Sequence, residues 1–173
     1  MRPRPATRAD AAAIAAIYNE GIEDRLATFE TEPRGESTIL SWIRARLPLV
    51  VVEEEGEVAA WAAAHPYRDR EAYRGIGEFS IYVARERRGR GLGRVALQAL
   101  VDECDRRGYW KLVSRIFPEN EASLALCRSL GFREVGVYRR HGKLDGEWRD
   151  CVIVELLLGE AVQPGPQPSS SSA

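Results

Sequence analysis

Apolar positions recur along this chain with two different periods, and the switches between them mark out its elements. After Thr7 and Asp10, residues Ala13, Ile14, Ile17 and Ile22 fall at helical spacing, with Asp10 a candidate cap and Gly21 weakening the end. Ile39, Trp42, Ile43 and Leu47 predict a second helix over Glu36 to Arg46. The run Leu49-Val50-Val51-Val52 reads as a buried strand, turned at Glu55-Gly56-Glu57 into another from Val58 to Ala64. Phe79, Ile81 and Val83 alternate with more polar neighbours, the period of a strand. Leu92, Val95, Ala96, Ala99, Leu100 and Cys104 then share one face of a strong helix that stops near Arg107-Gly108. A short strand holds Leu112, Val113 and Ile116, and Asn120 opens a helix carrying Leu124, Leu126 and Leu130 up to Gly131. Two last strands, about Phe132 to Arg139 and Trp148 to Leu156, flank a turn at Asp145-Gly146.

That order predicts an α/β fold, a mixed central sheet with helices on both faces. No linker-like break interrupts it, so residues 1–160 are expected to form one domain. Residues 161–173, rich in proline and serine and without an apolar anchor, are expected to be a disordered tail. The 173 residues are enough for one proper core. With 45% apolar and 29% charged residues the mix is that of a globular chain. A formal net charge of −1 gives no global basic field to attract nucleic acid. Cys104, Cys127 and Cys151 are too few and too widely spaced for a disulfide framework or a metal site, which suits a reducing compartment. The N-terminus lacks the apolar stretch of a signal peptide, and no segment approaches the ~18 apolar residues of a membrane span. A cytoplasmic protein is expected, bound neither to membrane nor to metal.

The chemistry concentrates between Val83 and Arg94, where a strand end runs through Arg85-Glu86-Arg87-Arg88-Gly89-Arg90-Gly91-Leu92-Gly93-Arg94 into a helix. Glycines remove side chains where backbone N–H groups must face a ligand, and the helix start adds unpaired N–H groups and a positive dipole end. Five arginines (85, 87, 88, 90 and 94) add formal charge, which makes the segment a site for a polyanion, most simply a pyrophosphate. A nucleotide-triphosphate loop would end in Gly-Lys-Ser/Thr, which is missing. A dinucleotide fingerprint would carry a third glycine where Arg94 stands and would follow the first strand.

Arg88-Gly89-Arg90-Gly91-Leu92-Gly93 resembles the Arg/Gln-x-x-Gly-x-Gly/Ala signature of the GNAT N-acetyltransferase superfamily, which binds the pyrophosphate of coenzyme A there. Asn120-Glu121-Ala122-Ser123 is similar to the family's Asn-x-x-Ser, whose asparagine contacts the pantetheine arm, and Leu126 to Phe132 resembles its helix-end Tyr-x-x-x-Gly-Phe element. The likeness runs from residue 3 to about residue 158. Within the superfamily, Ala27-Thr28-Phe29-Glu30-Thr31-Glu32-Pro33, Pro66 to Tyr73 and Glu78-Phe79-Ser80-Ile81-Tyr82-Val83 resemble the phosphinothricin N-acetyltransferase branch. Lys111 to Asn120 and His141 to Asp150 are most similar to its arsinothricin N-acetyltransferases.

The resemblance implies the GNAT fold, acetyl-CoA as cosubstrate, no metal, a homodimer, and acetylation of the α-amino group of a small amino-acid-like toxin. The toxin would be of the arsinothricin, phosphinothricin or methionine sulfoximine type. Glu78 opens the strand that runs into the coenzyme loop, and the resemblance makes it the catalytic base. The expected cofactor residues are Ile81, Tyr82 and Val83, the loop from Arg88 to Arg94 (Arg88, Gly89, Arg90, Gly91, Leu92, Gly93 and Arg94), and Asn120 with Ser123. A free backbone N–H near Ile81 to Val83, exposed by a bulge or a splay, would polarise the thioester carbonyl. Phe29, Glu30, Arg70 and Tyr73 are the implied acceptor residues, an arginine suiting the acidic groups of a glutamate analogue. Cys127 stands where many relatives have a tyrosine or histidine proton donor, and it reads better as a small buried residue. Three other readings stay open: acetylation of protein N-termini or other amines, a non-catalytic acyl-CoA-binding module, and an arginine patch for nucleic acid. The lack of aromatic residues among those arginines argues against the last.

Overall fold

The computed structural model describes residues 1–162. Its elements are β1 (Arg2–Pro5), α1 (Ala11–Glu23), α2 (Glu36–Arg44), β2 (Leu49–Glu54), β3 (Glu57–Pro66), β4 (Ile76–Val83), α3 (Leu92–Arg106), β5 (Lys111–Ile116), α4 (Glu121–Ser129), β6 (Arg133–Leu144) and β7 (Glu147–Leu157). The strands form one seven-stranded sheet in the order β1-β2-β3-β4-β5-β7-β6. Neighbours run antiparallel except β4 and β5, which are parallel.

The apolar run in β2 feeds both faces of this sheet, as expected of a strand buried on both sides. Val51 joins Trp61, Ala63 and Tyr82 under α1 and α2. Val50 and Val52 join Ala60, Ala62, Phe79 and Leu112 under α3 and α4. The helices therefore cover both faces, as the order of elements implied.

Several boundaries differ from the sequence pattern for local reasons. β1, with Pro3 and Pro5, is invisible to periodicity, and it sits at the sheet edge where proline's missing N–H is tolerated. Asp10 does not cap α1 with its side chain. It instead accepts both arms of the Arg4 guanidinium at 2.8 Å and the Thr7 N–H at 2.7 Å, tying β1 to the helix. Gly21 does not end α1, which continues to Glu23. A β-carbon at Gly21 would lie 2.4 Å from the Tyr82 ring, so this glycine permits close approach of helix and sheet. α2 stops at Arg44, two residues early, where Arg46 turns to a φ of 55°. At the other end, Ala161 and Val162 belong to a short 3-10 turn, Gly159–Val162, and the rest of the expected tail lies outside the described residues.

Candidate active site

β4 and β5 pair over only three positions, Ile76 with Lys111, Gly77 with Leu112 and Glu78 with Val113. Beyond them the strands diverge, with the Ser114 hydroxyl donating to the Phe79 carbonyl (3.0 Å) at the fork. The register between β3 and β4 continues without a shift through this stretch, so a splay rather than a bulge opens the wedge. Along an antiparallel ladder successive residues turn their polar groups to opposite sides. The Ala84 N–H bonds to Ala59 on β3 (2.9 Å), so Ile81 and Val83 turn theirs into the wedge.

The start of α3 closes the open end of the wedge. Gly91 precedes the helix with a φ of 84°, a left-handed turn that favours glycine. The first turn of α3 leaves amides without intrahelical acceptors and holds no acidic side chain, so its positive end is uncompensated. A cavity of about 380 Å³ lies here. Ile81, Tyr82, Val83, Arg88, Gly89, Gly91, Leu92, Gly93, Arg94, Asn120 and Ser123 all line it. Arg90 does not, and instead approaches Glu54 at 3.4 Å.

The five arginines of the loop thus do not act as one cluster. Arg87 is tied to Glu54 and Glu57, and Arg85 to Glu23 at the end of α1 and Asp24 just past it. Only Arg88 and Arg94 of the five line the cavity. Arg88 is paired with Asp24 at 2.6 Å, and Arg94 donates to the Ser129 hydroxyl at 2.6 Å. Burial opposes ionisation of Asp24, but hydrogen bonds from Arg88 and Arg85 outweigh it and hold the carboxyl below its ordinary range. Periodicity gave no sign that the end of α1 would meet this loop.

A second cavity, of about 270 Å³, meets the first at Ala27, Ile81, Tyr82, Asn120 and Ser123. Asn120 holds that junction: its carbonyl oxygen accepts the Ser123 N–H (3.2 Å) and its amide reaches the Leu26 carbonyl (3.4 Å). Glu78, Phe29 and Glu30 line the second cavity, and the Phe29 ring packs edge-on against Phe117 at 4.9 Å. Glu78 is ion-paired with Arg115, whose Nε donates to Oε1 at 2.7 Å. Sequence reasoning missed Arg115. Its signal was a charged residue near the end of a short strand, and its meaning depends on a parallel pairing that periodicity does not reveal.

Cys127 also lines the second cavity, 2% exposed, and burial pushes its thiol up to about 12. Arg70 and Tyr73 lie on the β3–β4 loop, with Arg70 exposed and the Tyr73 ring edge-on to Tyr67. Neither lines this cavity, the first, or a third of about 340 Å³ that continues past Glu78 to Trp42, Trp61 and His65. His65 stands opposite Glu78 in the β3–β4 register. Burial lowers its pKa against the pull of Glu78, which keeps the ring neutral near pH 7. Among the described residues no group of three or more His, Cys, Asp and Glu side chains is placed to hold a metal ion.

A splayed parallel pair, inward amides and a basic glycine turn at a helix start define an acyl-CoA-dependent transferase fold. The family model described as "Acetyltransferase (GNAT) family" matches residues 14–132, and the chain belongs to that family. It is 34% identical, over 95% of its length and 98% of the relative's, to the L-methionine sulfoximine/L-methionine sulfone acetyltransferase of Salmonella typhimurium. The phosphinothricin acetyltransferase of Sinorhizobium meliloti, solved with acetyl-CoA, superposes with a TM-score of 0.87 at 33% identity. That match covers 97% of this chain and 94% of the other. The ribosomal-protein-alanine N-acetyltransferase of Brucella melitensis gives a TM-score of 0.87 at 36% identity, covering 91% of this chain and all of that one. The protein is an N-acetyltransferase of the phosphinothricin branch, with acetyl-CoA as its donor.

Proposed function

We propose that this enzyme acetylates the α-amino group of a small amino-acid-like toxin of the methionine sulfoximine, phosphinothricin or arsinothricin type. The observation that carries this reading is the small cavity holding Glu78, which joins the coenzyme cavity beside the inward amides of β4. Arg88, Arg94 and the first amides of α3 bind the pyrophosphate, and Asn120 with Ser123 guides the pantetheine arm to the junction. Glu78 takes the proton of the ammonium, directly or through one water. The amine nitrogen then bonds to the acetyl carbon and the carbon–sulfur bond breaks, while the amides of Ile81 and Val83 stabilise charge on the carbonyl oxygen. The sulfur leaves as thiolate, the nitrogen sheds its second proton to water as the amide forms, and the thiolate is reprotonated from solvent. Phe29 and Glu30 wall the acceptor cavity, whereas Arg70 and Tyr73 act at most from its rim.

The enzyme works as a cytoplasmic homodimer in this reading. The three cysteines are free, and β6 is an edge strand with Val135, Val137 and Tyr138 about half exposed. No helix among the described residues is long and apolar enough to cross a membrane. A second acceptor, a protein N-terminus, is favoured by the name of the Brucella relative. Aromatic walls and a guanidinium suit a small acid better than an extended peptide.

Thiol release from acetyl-CoA tests the reading on phosphinothricin, arsinothricin, methionine sulfoximine, glutamate and a ribosomal N-terminal peptide. Turnover is expected on the glutamate analogues and is expected to fall about 10²–10⁴-fold in Glu78→Gln, the usual worth of a general base. Turnover on the peptide alone would discard the small-acid acceptor. Full activity in the variant would remove Glu78 as base.

A further inference from the structure

We infer that Arg115 is the receptor for the acceptor's α-carboxylate, and that this carboxylate draws Arg115 away from Glu78 as the acceptor binds. The inference rests on the reading of Glu78 as base. Arg115 leaves β5 two residues past Val113, the last position paired with β4. Because side chains alternate along a strand, Arg115 rises from the same face of the sheet as Val113 and its partner Glu78. It therefore stands on the diverging arm of the wedge, opposite the base.

In the free protein its guanidinium is turned to Glu78, with both Nε and Nη2 on the single oxygen Oε1. Nη1 lies 3.4 Å from the His141 ring. The arginine side chain is 48% exposed and the glutamate 27%, and ion pairs that open to water are weak enough for a ligand anion to replace. With both donors on Oε1, the guanidinium covers that oxygen of Glu78, so the resting pair masks the base.

An α-amino acid carries its carboxylate on the same carbon as its amine. A site that offers Glu78 to the amine must then offer Arg115 to the carboxylate. The planar fork of the guanidinium can take both carboxylate oxygens, which Glu78 Oε1 alone does not supply. Arg115 is the one cation among the residues described as lining the acceptor cavity. Arg34, which lines the third cavity, is bound to Glu30, and its backbone N–H is held by Asn19 at 2.8 Å. Arg70 reaches none of the three cavities. Binding the correct acceptor thus also releases the base, and an amine without the neighbouring carboxylate leaves the base masked.

The test compares methionine sulfoximine with its α-carboxamide, by calorimetry with coenzyme A present and by turnover with acetyl-CoA. Wild type is expected to bind the acid at least about tenfold more tightly, as befits a charge-assisted contact. In Arg115→Gln that ratio should fall to within about threefold, with Arg115→Lys between, because it keeps the charge without the fork. Unchanged coenzyme A affinity in both variants verifies that they fold. Glu78→Gln should bind the acid several-fold more tightly than wild type while losing turnover, since it frees Arg115. A wild-type acid preference retained in Arg115→Gln, or weaker acid binding in Glu78→Gln, would overturn the inference and leave the pair as a support for the base. Absence of any acid preference in wild type would overturn it too. Acid binding through Arg115 without acetyl transfer would instead remove the proposed reaction and leave the receptor standing.

Discussion

Cys127 is the residue at which this chain departs most clearly from its family's expected chemistry. A thiol at about 12 leaves only ~10⁻⁵ of the molecules as thiolate at pH 7. Its side chain is also packed beneath the cavity among Leu124 and Phe132. Cys127→Ala is therefore expected to keep kcat within about threefold, the thiolate of coenzyme A leaving unaided. Iodoacetamide at pH 8 should leave native Cys104, Cys127 and Cys151 unmodified in mass spectra, because all three are buried. A fall in kcat of a hundredfold or more in Cys127→Ala, with coenzyme A affinity kept, would make the thiol a proton donor. Glu78 was legible from its place at the start of the strand feeding the glycine loop. Arg115 was not, since its identity as the partner of Glu78 exists only once β4 and β5 run side by side.

α1 and the segments at its two ends do more than pack. At its start, the buried Asp10 carboxylate is held by Arg4 and Thr7, and its pKa falls from 3.8 to about 2 against the cost of burial. A carboxyl depressed in the folded state contributes stability that is complete above about pH 4 and is lost as pH falls toward 2. The shift corresponds to ~2 kcal/mol, so urea unfolding between pH 5 and pH 2 should show a loss of that order. Asp10→Asn should be destabilised by ~2 kcal/mol at pH 7, because Arg4 then keeps only its pairing with Glu53, and should be flatter through the acid range. Equal acid slopes in variant and wild type would place the sensitivity elsewhere. At its other end, Asp24 meets Arg88 and Arg85, and the segment that follows lines both cavities through Ala27. The helix itself was legible from its apolar spacing. The use of its ends was not, because Asp10 and Asp24 find their partners through the fold: Arg4 on an edge strand without periodicity, Arg88 across sixty-odd residues of chain.

Over the whole molecule, the two cavities meet on the line where the sheet splits, so the coenzyme and acceptor of the proposed reaction would enter a common junction. Acetyl-CoA should raise the melting temperature, and the rise should continue with the logarithm of its concentration above Kd, since it binds only the folded wedge. The proposed dimer is expected to sediment at twice the 19.3 kDa chain mass. A charge on the exposed β6 edge, as in Val137→Glu, should shift it toward monomer without changing coenzyme A affinity. A wild-type monomer at all concentrations would remove the dimer from the reading.

The sequence by itself determined what depends on neighbours along the chain. Helical and strand periods set the elements, and the glycine run before Leu92 set a turn into a helix start with free amides, because backbone torsions and first-turn amides are local properties. Tertiary structure alone decided what depends on pairing across the chain. The parallel start and divergence of β4 and β5 decided which amides stay free. Carboxylates at the end of α1 and on the β2–β3 hairpin decided which of the five arginines face the cavity at the start of α3. The same divergence set Arg115 opposite Glu78, for charge seeks its partner through space, where periodicity along one strand carries no information.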